Sequence, residues 1–430
     1  MKGSKYNFYI EYGNELYVYN SLSNVLIKLD YEKAKQVKAE CFLEFSDEEI
    51  CFLSDNGVLV EDDFDEMIIL KERNLRGKYS NDILALTIVP SLLCNFECIY
   101  CYQEPNQVVM SEETENDIVE FIKNVVTDTK EVAITWFGGE PLLQIDLIER
   151  VSKEIISICK EAGVTYSASI ITNGYLIDEK MVNRLKKINI MDAQITLDGP
   201  ADIHNLRRKH KSDSVSTYDR CVKAISILKD SGIETNIRIN LDRRNIDKID
   251  ALFADLNKKG IYGINVSLEK VSEFTSSCAD TNNNYFTTEE MSVIVPRLTE
   301  GLIENRLYVD EDDFYPRLKY NYCGACQLRS ITIGPKGELY KCWCDLGNES
   351  KSFSNIKDYD IHDDLHMKER SYMSYDPFLY SKCVDCRLMP LCMGGCPRSS
   401  LNGEVNCIIN EEYLTDKIKK YLKVVERADD

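Results

Sequence analysis

The sequence predicts an α/β protein built on a parallel β-sheet. From residue 81 to about residue 270, six short apolar runs of strand character alternate with amphipathic helices. The predicted strands are Ala85–Val89, Val132–Trp136, Ser167–Ile171, Asp192–Leu197, Glu234–Ile239 and Gly263–Leu268, and the predicted helices lie near 112–126, 144–161, 178–187, 218–230 and 247–258. Strands that alternate with helices form a parallel sheet with right-handed crossovers. Functional side chains are therefore expected where the strands end and the loops begin.

Length, charge and cysteine content narrow the class of protein. The chain has 430 residues, which predicts two or three domains, and its formal net charge of −20 argues against nucleic acid as a partner. It shows no secretory leader pattern and no apolar run of about 18 residues, so we expect a cytoplasmic protein without a membrane partner. Seventeen cysteines in a reducing compartment then indicate metal ligation or redox chemistry rather than disulfides.

The segment 1–80 has the pattern of a small separate module. Tyr6–Tyr12 and Glu15–Tyr19 alternate apolar and polar residues around a Gly-Asn pair, which predicts a β-hairpin, and Val25–Leu29 follows as a third strand. Two helical stretches come next, and Ser46–Glu49 has the form of a capping box at a helix start. A turn and the apolar run Val58–Val60 then predict a closing strand.

Three thiols follow the first predicted strand of the parallel sheet. Cys94, Cys98 and Cys101 lie within eight residues of one another. A [4Fe–4S] cluster normally takes four thiolates, so a compact loop with three leaves one iron open to a small-molecule ligand. A structural zinc site and buried cysteines of no special role are the alternatives. Zinc sites more often use paired C-x₂₋₄-C knuckles and can recruit histidine, and the chain has only four histidines. The spacing therefore favours an iron–sulfur cluster.

Polar and glycine-rich segments follow the next four predicted strands. They are, in chain order, Gly138-Gly139-Glu140-Pro141, Thr172-Asn173-Gly174, Leu197-Asp198-Gly199-Pro200 and Arg238-Ile239-Asn240. Because glycine allows close backbone approach, the Gly138-Gly139 pair suits a bound ligand, although a turn that only joins strand to helix is the alternative. For Arg238 the alternative is an ordinary surface arginine.

Nine further thiols lie towards the C-terminus: Cys323, Cys326, Cys342, Cys344, Cys383, Cys386, Cys392, Cys396 and Cys407. Two full [4Fe–4S] clusters need eight thiolates, so the count supports two auxiliary clusters with one thiol left over. The C-x₂-C pairs leave zinc as an alternative. The remaining cysteines lack partner spacing and are interpreted as ordinary thiols; they are Cys41, Cys51, Cys159, Cys221 and Cys278.

Together these motifs resemble those of the radical S-adenosylmethionine (SAM) enzymes. The C-x₃-C-x₂-C loop with an aromatic residue after it resembles their cluster loop, and Gly138–Pro141 resembles their GGEP motif. The segments Gly337–Cys342 and Cys383–Cys396 resemble the SPASM/twitch subgroup. The matching motifs span roughly residues 83 to 410. The resemblance implies a partial (β/α)₆ TIM-like radical SAM barrel and a C-terminal Cys-rich SPASM domain.

The resemblance implies a SAM site at the first cluster. The GGEP backbone and its glutamate would hold the amino group, Tyr102 the adenine, and Arg238 and Asn240 the carboxylate and ribose. The implied cofactor-binding residues are Tyr102, Gly138, Gly139, Glu140, Pro141, Thr172, Asn173, Asp198, Arg238 and Asn240. A segment that usually reads H-D-x-x-R in relatives is His204-Asn205-Leu206-Arg207-Arg208 here, so Asn205 is given no catalytic role.

The auxiliary ligands also follow from the resemblance. The first auxiliary cluster takes Cys342, Cys396 and either Cys323 or Cys326, or both. The second takes Cys383, Cys386, Cys392 and Cys407. Cys344 is then spare, or it replaces Cys323. The expected cofactors are therefore SAM and three [4Fe–4S] clusters, one in the first loop and two auxiliary.

These patterns predict three domains. Residues 1–80 form a winged-helix-like module that resembles the leader-peptide-recognition element of peptide-modifying radical enzymes, which binds a leader as an added strand at a sheet edge. A plain structural cap is the alternative. Residues 81–310 form the barrel and residues 311–430 the SPASM domain.

The resemblance predicts an enzyme that matures peptides. SAM is cleaved reductively to a 5′-deoxyadenosyl radical, which abstracts hydrogen from a ribosomally made precursor peptide to form a crosslink, with a cysteine thioether expected. The expected partners are the precursor with its leader sequence and an electron donor such as flavodoxin or ferredoxin. No residue is assigned as a catalytic acid or base.

Three alternatives stay open. An anaerobic sulfatase-maturating enzyme, which generates formylglycine, resembles the SPASM half but usually starts directly at the barrel, so the segment 1–80 counts against it. A carbon–carbon crosslinking peptide maturase shares the same motifs. A non-enzymatic iron–sulfur electron carrier would not need the three-cysteine loop or Gly138–Pro141.

Overall fold

The computed structural model describes residues 1–103, 107–212, 215–272, 284–362, 367–400, 405 and 407–429 of the chain. Its contacts group the chain into two compact units. Unit 1 comprises Met1–Tyr79, Glu311–Cys323 and Tyr375–Asp430, and unit 2 comprises Ser80–Asp310 and Gly324–Ser374. Residues 324–374, which the sequence analysis assigns to the SPASM domain, are grouped with the barrel segment. The three-domain division itself stays a prediction.

The first part of unit 1 contains the predicted hairpin, third strand and helices. Its elements are β1 (Lys2–Gly3), β2 (Asn7–Tyr12), β3 (Glu15–Asn20), β4 (Val25–Leu29), α1 (Tyr31–Lys38), α2 (Asp47–Asp55), β5 (Leu59–Val60) and α3 (Met67–Tyr79). Strands β2, β3 and β4 form an antiparallel sheet in that order, and β1 pairs with β5. Gly13 has a φ of +59°, which the tight hairpin turn requires.

Helix α2 begins with the predicted capping box. The Ser46 hydroxyl accepts from the Glu49 amide at 3.2 Å, and the Glu49 carboxylate accepts from the Ser46 amide at 3.0 Å. Two of the amides that a helix start leaves unpaired are thereby satisfied. The sequence prediction of a helix start at this position is confirmed.

Unit 2 alternates strands and helices as the sequence predicts. Its elements are β6 (Ile83–Ile88), β7 (Phe96–Cys98), α4 (Glu112–Val125), β8 (Glu131–Trp136), α5 (Ile145–Ala162), β9 (Thr165–Thr172), α6 (Glu179–Lys187), β10 (Ile190–Thr196), α7 (Ala201–Arg207), β11 (Arg208–His210), α8 (Thr217–Asp230), β12 (Glu234–Leu241), α9 (Ile249–Lys258), β13 (Asn265–Lys270), α10 (Thr288–Glu304), β14 (Ser330–Ile333), β15 (Glu338–Tyr340), β16 (Ser354–Asn355) and α11 (Met367–Met373). All six predicted strands are therefore present, with small shifts at their ends.

The central sheet of unit 2 has the order β13-β12-β10-β9-β8-β6-β14-β15-β16. The first six strands named are parallel neighbours in chain order, which is the connectivity expected of a partial (β/α)₆ barrel. β14 continues the sheet parallel to β6, and β15 and β16 pair antiparallel beyond it. The sheet is mixed because residues from beyond position 324 extend it.

The two faces of this sheet differ in chemistry. Leu84, Leu86 and Ile88 of β6 are buried in the core that the strands form with the helices. The opposite face carries polar side chains such as Thr135 and Ser169, whose half-buried hydroxyls lie 3.1 Å apart. One face therefore stabilises the fold, and the other presents polar groups below the strand ends.

The C-terminal part of unit 1 contributes α12 (Ser381–Val384), α13 (Met389–Cys392), α14 (Pro397–Ser400) and α15 (Glu411–Asp429). The three-stranded sheet of unit 1 is covered on both faces. One face, with Val18, packs on Val37 and the residues around α2, and the other, with Ile10, packs on Leu414 and Ile418 of α15. The first and last parts of the chain thus share one core. None of the described helices is long and apolar enough to cross a membrane.

Candidate active site

The cluster loop is held by a short two-stranded ribbon. β7 pairs antiparallel with β11, which places Cys98 opposite Arg208. The Ile99 amide donates to the Arg207 carbonyl at 3.0 Å, and the Cys101 amide donates to the Cys98 carbonyl at 3.1 Å. The three-cysteine loop is therefore attached to the segment that follows β10, the fourth of the predicted parallel strands.

The glycine pair after β8 lies against the segment that leads into the cluster loop. A Cβ on Gly138 would lie 2.4 Å from the carbonyl oxygen of Ser91, and one on Gly139 would lie 2.2 Å from that of Leu93. The Glu140 amide donates to the Leu93 carbonyl at 2.7 Å. Because no side chain fits there, the two glycines are what allow this loop to approach the cluster loop.

Glu140 is fully buried and joins the ends of two strands. Its carboxylate accepts from the Leu142 amide at 3.0 Å, the Thr172 hydroxyl at 2.7 Å and the Asn173 amide at 2.7 Å. Burial raises the pKa of the Glu140 carboxyl, and the hydrogen bonds from Asn173, Thr172 and Leu142 oppose this shift. The predicted Gly138–Pro141 and Thr172-Asn173 segments thus meet at one carboxylate.

Asn173 links this point to the cluster loop. Its side-chain amide donates to Asn95 Oδ1 at 2.7 Å and lies 4.0 Å from the Cys94 sulfur. The Phe96 amide donates to the same sulfur at 3.4 Å. Two hydrogen-bond donors thus approach the Cys94 sulfur, and such donors tune a cluster thiolate.

Tyr100 was missed by the sequence analysis, and it lies at the centre of a buried polar network. Its hydroxyl donates to Asp198 and accepts from Arg208 Nη1 at 2.8 Å and Asn240 Nδ2 at 3.3 Å. Its position between the second and third cysteines of the loop is the sequence signal that could have found it. Two of the predicted cofactor residues, Asp198 and Asn240, therefore meet at this phenol.

Asp198 is fully buried at the end of β10 and joins the fourth strand to the fifth. Its carboxylate accepts from the Asn240 amide at 3.1 Å, and its own amide donates to His204 Nδ1 at 3.3 Å. Burial, followed by the Arg208 and Arg207 cations, lowers the pKa of His204 well below its usual value. His204 is therefore a neutral acceptor near neutral pH.

The two arginines of the following segment have different partners. Arg207 forms a buried ion pair in which Nη1 lies 2.8 Å from both carboxylate oxygens of Asp242, and its guanidinium lies 5.0 Å from the centre of the Tyr100 ring. Arg208 is also buried, and among the described residues no carboxylate lies within 4.0 Å of it. Asn205 accepts from the Thr217 hydroxyl and the Tyr218 amide, each at 2.9 Å, and so joins α7 to α8.

The remaining predicted cofactor residues have other neighbours. Arg238 is half-buried, and its Nε donates to Asn240 Oδ1 at 2.9 Å. Burial raises the pKa of the Tyr102 phenol well above its usual value, and the thiols of Cys344, Cys101 and Cys342 act in the same direction. Tyr102 therefore interacts electrostatically with thiols of two different predicted clusters.

Lys341 joins two segments of unit 2 that carry thiols predicted for the first auxiliary cluster, Cys326 and Cys342. Its ammonium group is buried and donates to the carbonyls of Gln327, Leu328 and Ser330, at 3.2 Å for Leu328 and 2.8 Å for Ser330. It lies 3.7 Å from the buried Glu369 carboxylate. These bonds tie the backbone after Cys326 to the residue before Cys342. The other thiols of this set, Cys323 and Cys396, belong to unit 1.

All four thiols predicted for the second auxiliary cluster belong to unit 1. Burial raises the pKa of Cys383 to about 11, and the thiols of Cys392, Cys407 and Cys386 act in the same direction. The Leu388 amide donates to the Cys386 sulfur at 3.4 Å. Of the five cysteines interpreted as ordinary thiols, Cys278 lies outside the described residues.

The donors fit iron–sulfur clusters by their chemistry. Sulfur atoms of two predicted ligands, Cys94 and Cys386, accept backbone N–H groups, as cluster thiolates do. Within the part of the chain that the structure describes, no three His, Cys, Asp or Glu side chains are grouped as a single metal ion would require. The assignment to clusters therefore rests on thiol chemistry and spacing.

Comparison with known families agrees with this architecture. Residues 88–256 match the model of the Radical SAM superfamily. The matched segment contains the three-cysteine loop, Gly138–Pro141 and the network around Tyr100. The chain therefore contains a radical SAM domain, whose cofactors are SAM and a [4Fe–4S] cluster, and the protein is an enzyme.

Two characterised relatives are similar over most of the chain. The radical SAM cyclopropyl synthase TigE of Paramaledivibacter caminithermalis is 24% identical over 352 residues, which cover 76% of this chain and 70% of TigE. The cysteine-type anaerobic sulfatase-maturating enzyme of Clostridium perfringens strain 13 is 24% identical over 346 residues, which cover 73% of this chain and 89% of that enzyme.

A solved structure resembles nearly the whole chain. SuiB of Streptococcus suis bound to the precursor peptide SuiA covers 96% of this chain and 99% of its own, with a TM-score of 0.55 and 16% identity. SuiB has also been solved with S-adenosylmethionine, with a TM-score of 0.53 to this chain. At this identity the likeness concerns the fold, and it extends over both units.

Proposed function

We propose that this protein is a radical SAM peptide maturase that acts on a ribosomally made precursor peptide and forms a crosslink, with a cysteine thioether as the expected product. The main support for the proposal is that the three-cysteine loop contacts both the Glu140 network and the Tyr100 network. In addition, the other unit of the chain contains a separate small sheet. Bound SAM and a reduced cluster supply a 5′-deoxyadenosyl radical at such a site.

The residues of the chain have distinct parts in this proposal. Cys94, Cys98 and Cys101 hold the first cluster, and Glu140 orients the amino group of SAM. The buried Tyr100 network holds the rest of the cofactor and excludes water from it. Excluding water protects a radical from side reactions.

Two auxiliary [4Fe–4S] clusters complete the proposal. Cys383, Cys386, Cys392 and Cys407 hold the second of them. Cys342 and Cys396, with Cys323, Cys326 or both, hold the first, and Cys344 is spare or replaces Cys323. A thioether crosslink removes two hydrogen atoms from the peptide: one goes to 5′-deoxyadenosine, and the other leaves as a proton and an electron. An auxiliary cluster held by these thiols would supply an acceptor for that electron.

The peptide substrate is supported by the relatives and by the N-terminal segment 1–80. SuiB, whose fold covers 96% of this chain, was solved with a precursor peptide. We assign residues 1–80 to recognition of the precursor leader, and an external flavodoxin or ferredoxin to electron supply.

A sulfatase-maturating function is the second candidate, because the Clostridium perfringens enzyme is as similar in sequence as TigE. The two reactions leave different products. A thioether retains the cysteine sulfur, whereas conversion of cysteine to formylglycine removes it. A carbon–carbon crosslink removes two hydrogen atoms but leaves every thiol free.

Mass spectrometry of two cysteine-containing peptides tests the proposal. One peptide is a candidate precursor chosen from short cysteine-containing reading frames near the gene, and the other is copied from the maturation site of a sulfatase. With reconstituted enzyme, SAM and reductant, we expect loss of two hydrogen atoms from the precursor and loss of one alkylatable thiol. Loss of sulfur from the sulfatase peptide, with no change in the precursor, would overturn the proposal.

A further inference from the structure

Cys221 is a fully buried thiol on α8 that none of the predicted clusters uses. Its S–H group donates to the Asn173 carbonyl at 2.9 Å, directly after β9. Its sulfur also lies 3.9 Å from Nε2 of His204, on the helix α7 that follows β10. Cys221 therefore has one partner on each of the segments that follow two neighbouring strands of the parallel sheet.

The protonation of His204 gives these contacts a direction. Nδ1 of His204 accepts from the Asp198 amide at 3.3 Å. Since the buried imidazole is neutral, its proton lies on Nε2, which donates to the Cys221 sulfur. Three hydrogen bonds thus run in one direction, from the Asp198 amide through His204 and Cys221 to the Asn173 carbonyl. We call this chain of bonds the His204–Cys221 relay.

The relay joins two loops at a point where the sheet no longer does. Regular pairing of β9 with β10 ends at Thr172 and Ile195. Beyond these residues the two segments lead into different helices, α6 and α7. Strand pairing therefore does not fix the backbone of Asn173 relative to that of Asp198. The relay supplies this link through side chains.

The two residues that the relay joins belong to different parts of the proposed SAM site. The Asn173 amide donates to the Glu140 carboxylate at 2.7 Å, and the Asn173 side chain donates to Asn95 Oδ1, also at 2.7 Å. The Asp198 carboxylate accepts from the Tyr100 hydroxyl. A shift of one loop against the other would separate groups that contact the same small molecule. A misplacement of about 1 Å is enough to weaken such a site strongly.

We propose that His204 and Cys221 are positioning residues for SAM, which deepens the proposed function and depends on its SAM site. The relay holds the backbones of Asn173 and Asp198 at one separation. The Glu140 network and the Tyr100 network then present their groups to one cofactor molecule. Hydrogen bonds that lie behind a binding site lock the site's geometry in this way.

The test measures SAM affinity of the full-length protein after reconstitution with iron and sulfide. Equilibrium dialysis with radiolabelled SAM gives the dissociation constant, and the iron content of each sample corrects for incomplete cluster assembly. We expect C221A to bind SAM about tenfold more weakly, because it removes both hydrogen bonds of the sulfur. C221S should restore the affinity to within about twofold, since a hydroxyl can donate to the same carbonyl and accept from His204.

A second buried thiol controls for the loss of core volume. Cys159 of α5 lies in the same hydrophobic core as Cys221, and burial alone raises the pKa of its thiol. C159A removes the same sulfur atom as C221A does, which lowers the stability of the core. It should nevertheless bind SAM within about twofold of the unchanged protein, because a cavity in the core destabilises the fold without moving the two loops.

H204L tests whether the two side chains act as one chain. It breaks the relay at its other member, so we expect about tenfold weaker SAM binding, and the same loss in H204L/C221A as in either single variant. Losses that multiply to about a hundredfold in the double variant would show two independent effects and would overturn the relay. If circular dichroism shows that H204L does not fold, the comparison of C221A, C221S and C159A decides.

Two further results would overturn this inference. They are equal SAM affinity of C221A and C159A, and failure of C221S to restore the binding that C221A loses. In both cases the unchanged protein still binds and cleaves SAM, so the proposed function stands. If the unchanged reconstituted protein does not bind SAM, the proposed SAM site is refuted, and the proposed function and the relay are refuted with it.

Discussion

Burial and hydrogen bonding shift the pKa of the Glu140 carboxyl in opposite directions. The side chain accepts three hydrogen bonds in a fully buried position. In E140Q an amide NH₂ would face either the Asn173 amide or the Thr172 and Leu142 donors. Leaving a buried donor unpaired costs about 1–3 kcal/mol. We expect this loss in the free energy of unfolding, measured by urea denaturation of the apo protein.

A matched substitution controls for the change of charge. E113Q removes a carboxylate from the exposed side of α4 and should change the free energy of unfolding by less than about 0.5 kcal/mol. If E140Q is as stable as E113Q, Glu140 does not join the strand ends as described.

Arg208 is a buried cation opposite Cys98 with no carboxylate partner among the described residues. A positive charge beside an iron–sulfur cluster stabilises its reduced, more negative form. We therefore expect R208Q to lower the midpoint potential of the first cluster and R208K to lower it less. A redox titration followed by electron paramagnetic resonance measures this. Equal potentials in all three proteins would contradict the account.

The site residues also differ in how well the sequence alone identifies them. The motifs located Glu140, Thr172 and Asn173, because each directly follows a predicted strand. They pointed to Tyr102 rather than Tyr100, since a single chain does not reveal that Asp198, Arg208 and Asn240 converge on one phenol. That convergence depends on three segments far apart in sequence.

At the scale of elements, the hairpin of β14 and β15 depends on Lys341. Its buried ammonium group binds three carbonyls and lies near Glu369. In K341A the carbonyls lose their donor and a buried carboxylate loses its counter-ion, which costs about 3–5 kcal/mol. We expect this loss in urea denaturation, together with a lower iron content after reconstitution.

Lys336 offers the control within the same hairpin. It forms an exposed ion pair with Glu349 at 3.0 Å. Because exposed pairs contribute about 0–1 kcal/mol, K336A should leave both the stability and the iron content nearly unchanged. Equal effects of K341A and K336A would show that Lys341 does not hold the hairpin.

The elements of the parallel sheet were predictable, and the extension of that sheet by β14, β15 and β16 was not. Every second residue of a strand is buried, as with Leu84, Leu86 and Ile88, and the local sequence shows this alternation directly. The pairing of β14 with β6 joins Ile331 to Leu86, which lie in distant parts of the sequence. Tertiary packing, and not the local sequence, determines which strands pair when they are so far apart along the chain.

At the scale of the whole molecule, each compact unit combines segments that are distant in sequence. Unit 1 contains Met1–Tyr79 together with the last part of the chain, and Ile10 packs there on Leu414 and Ile418. The sequence places a module at the start and a cysteine-rich region at the end. It does not reveal that they share one core.

The chain contains a radical SAM domain, and we propose that it binds three iron–sulfur clusters. The most direct measurement is anaerobic reconstitution with iron and sulfide, followed by an iron count and an assay of 5′-deoxyadenosine from SAM and reductant. We expect about twelve irons per chain, and about eight with no deoxyadenosine when Cys94, Cys98 and Cys101 are all changed to Ala. Zinc in place of iron, or no cleavage of SAM by the unchanged protein, would contradict the account.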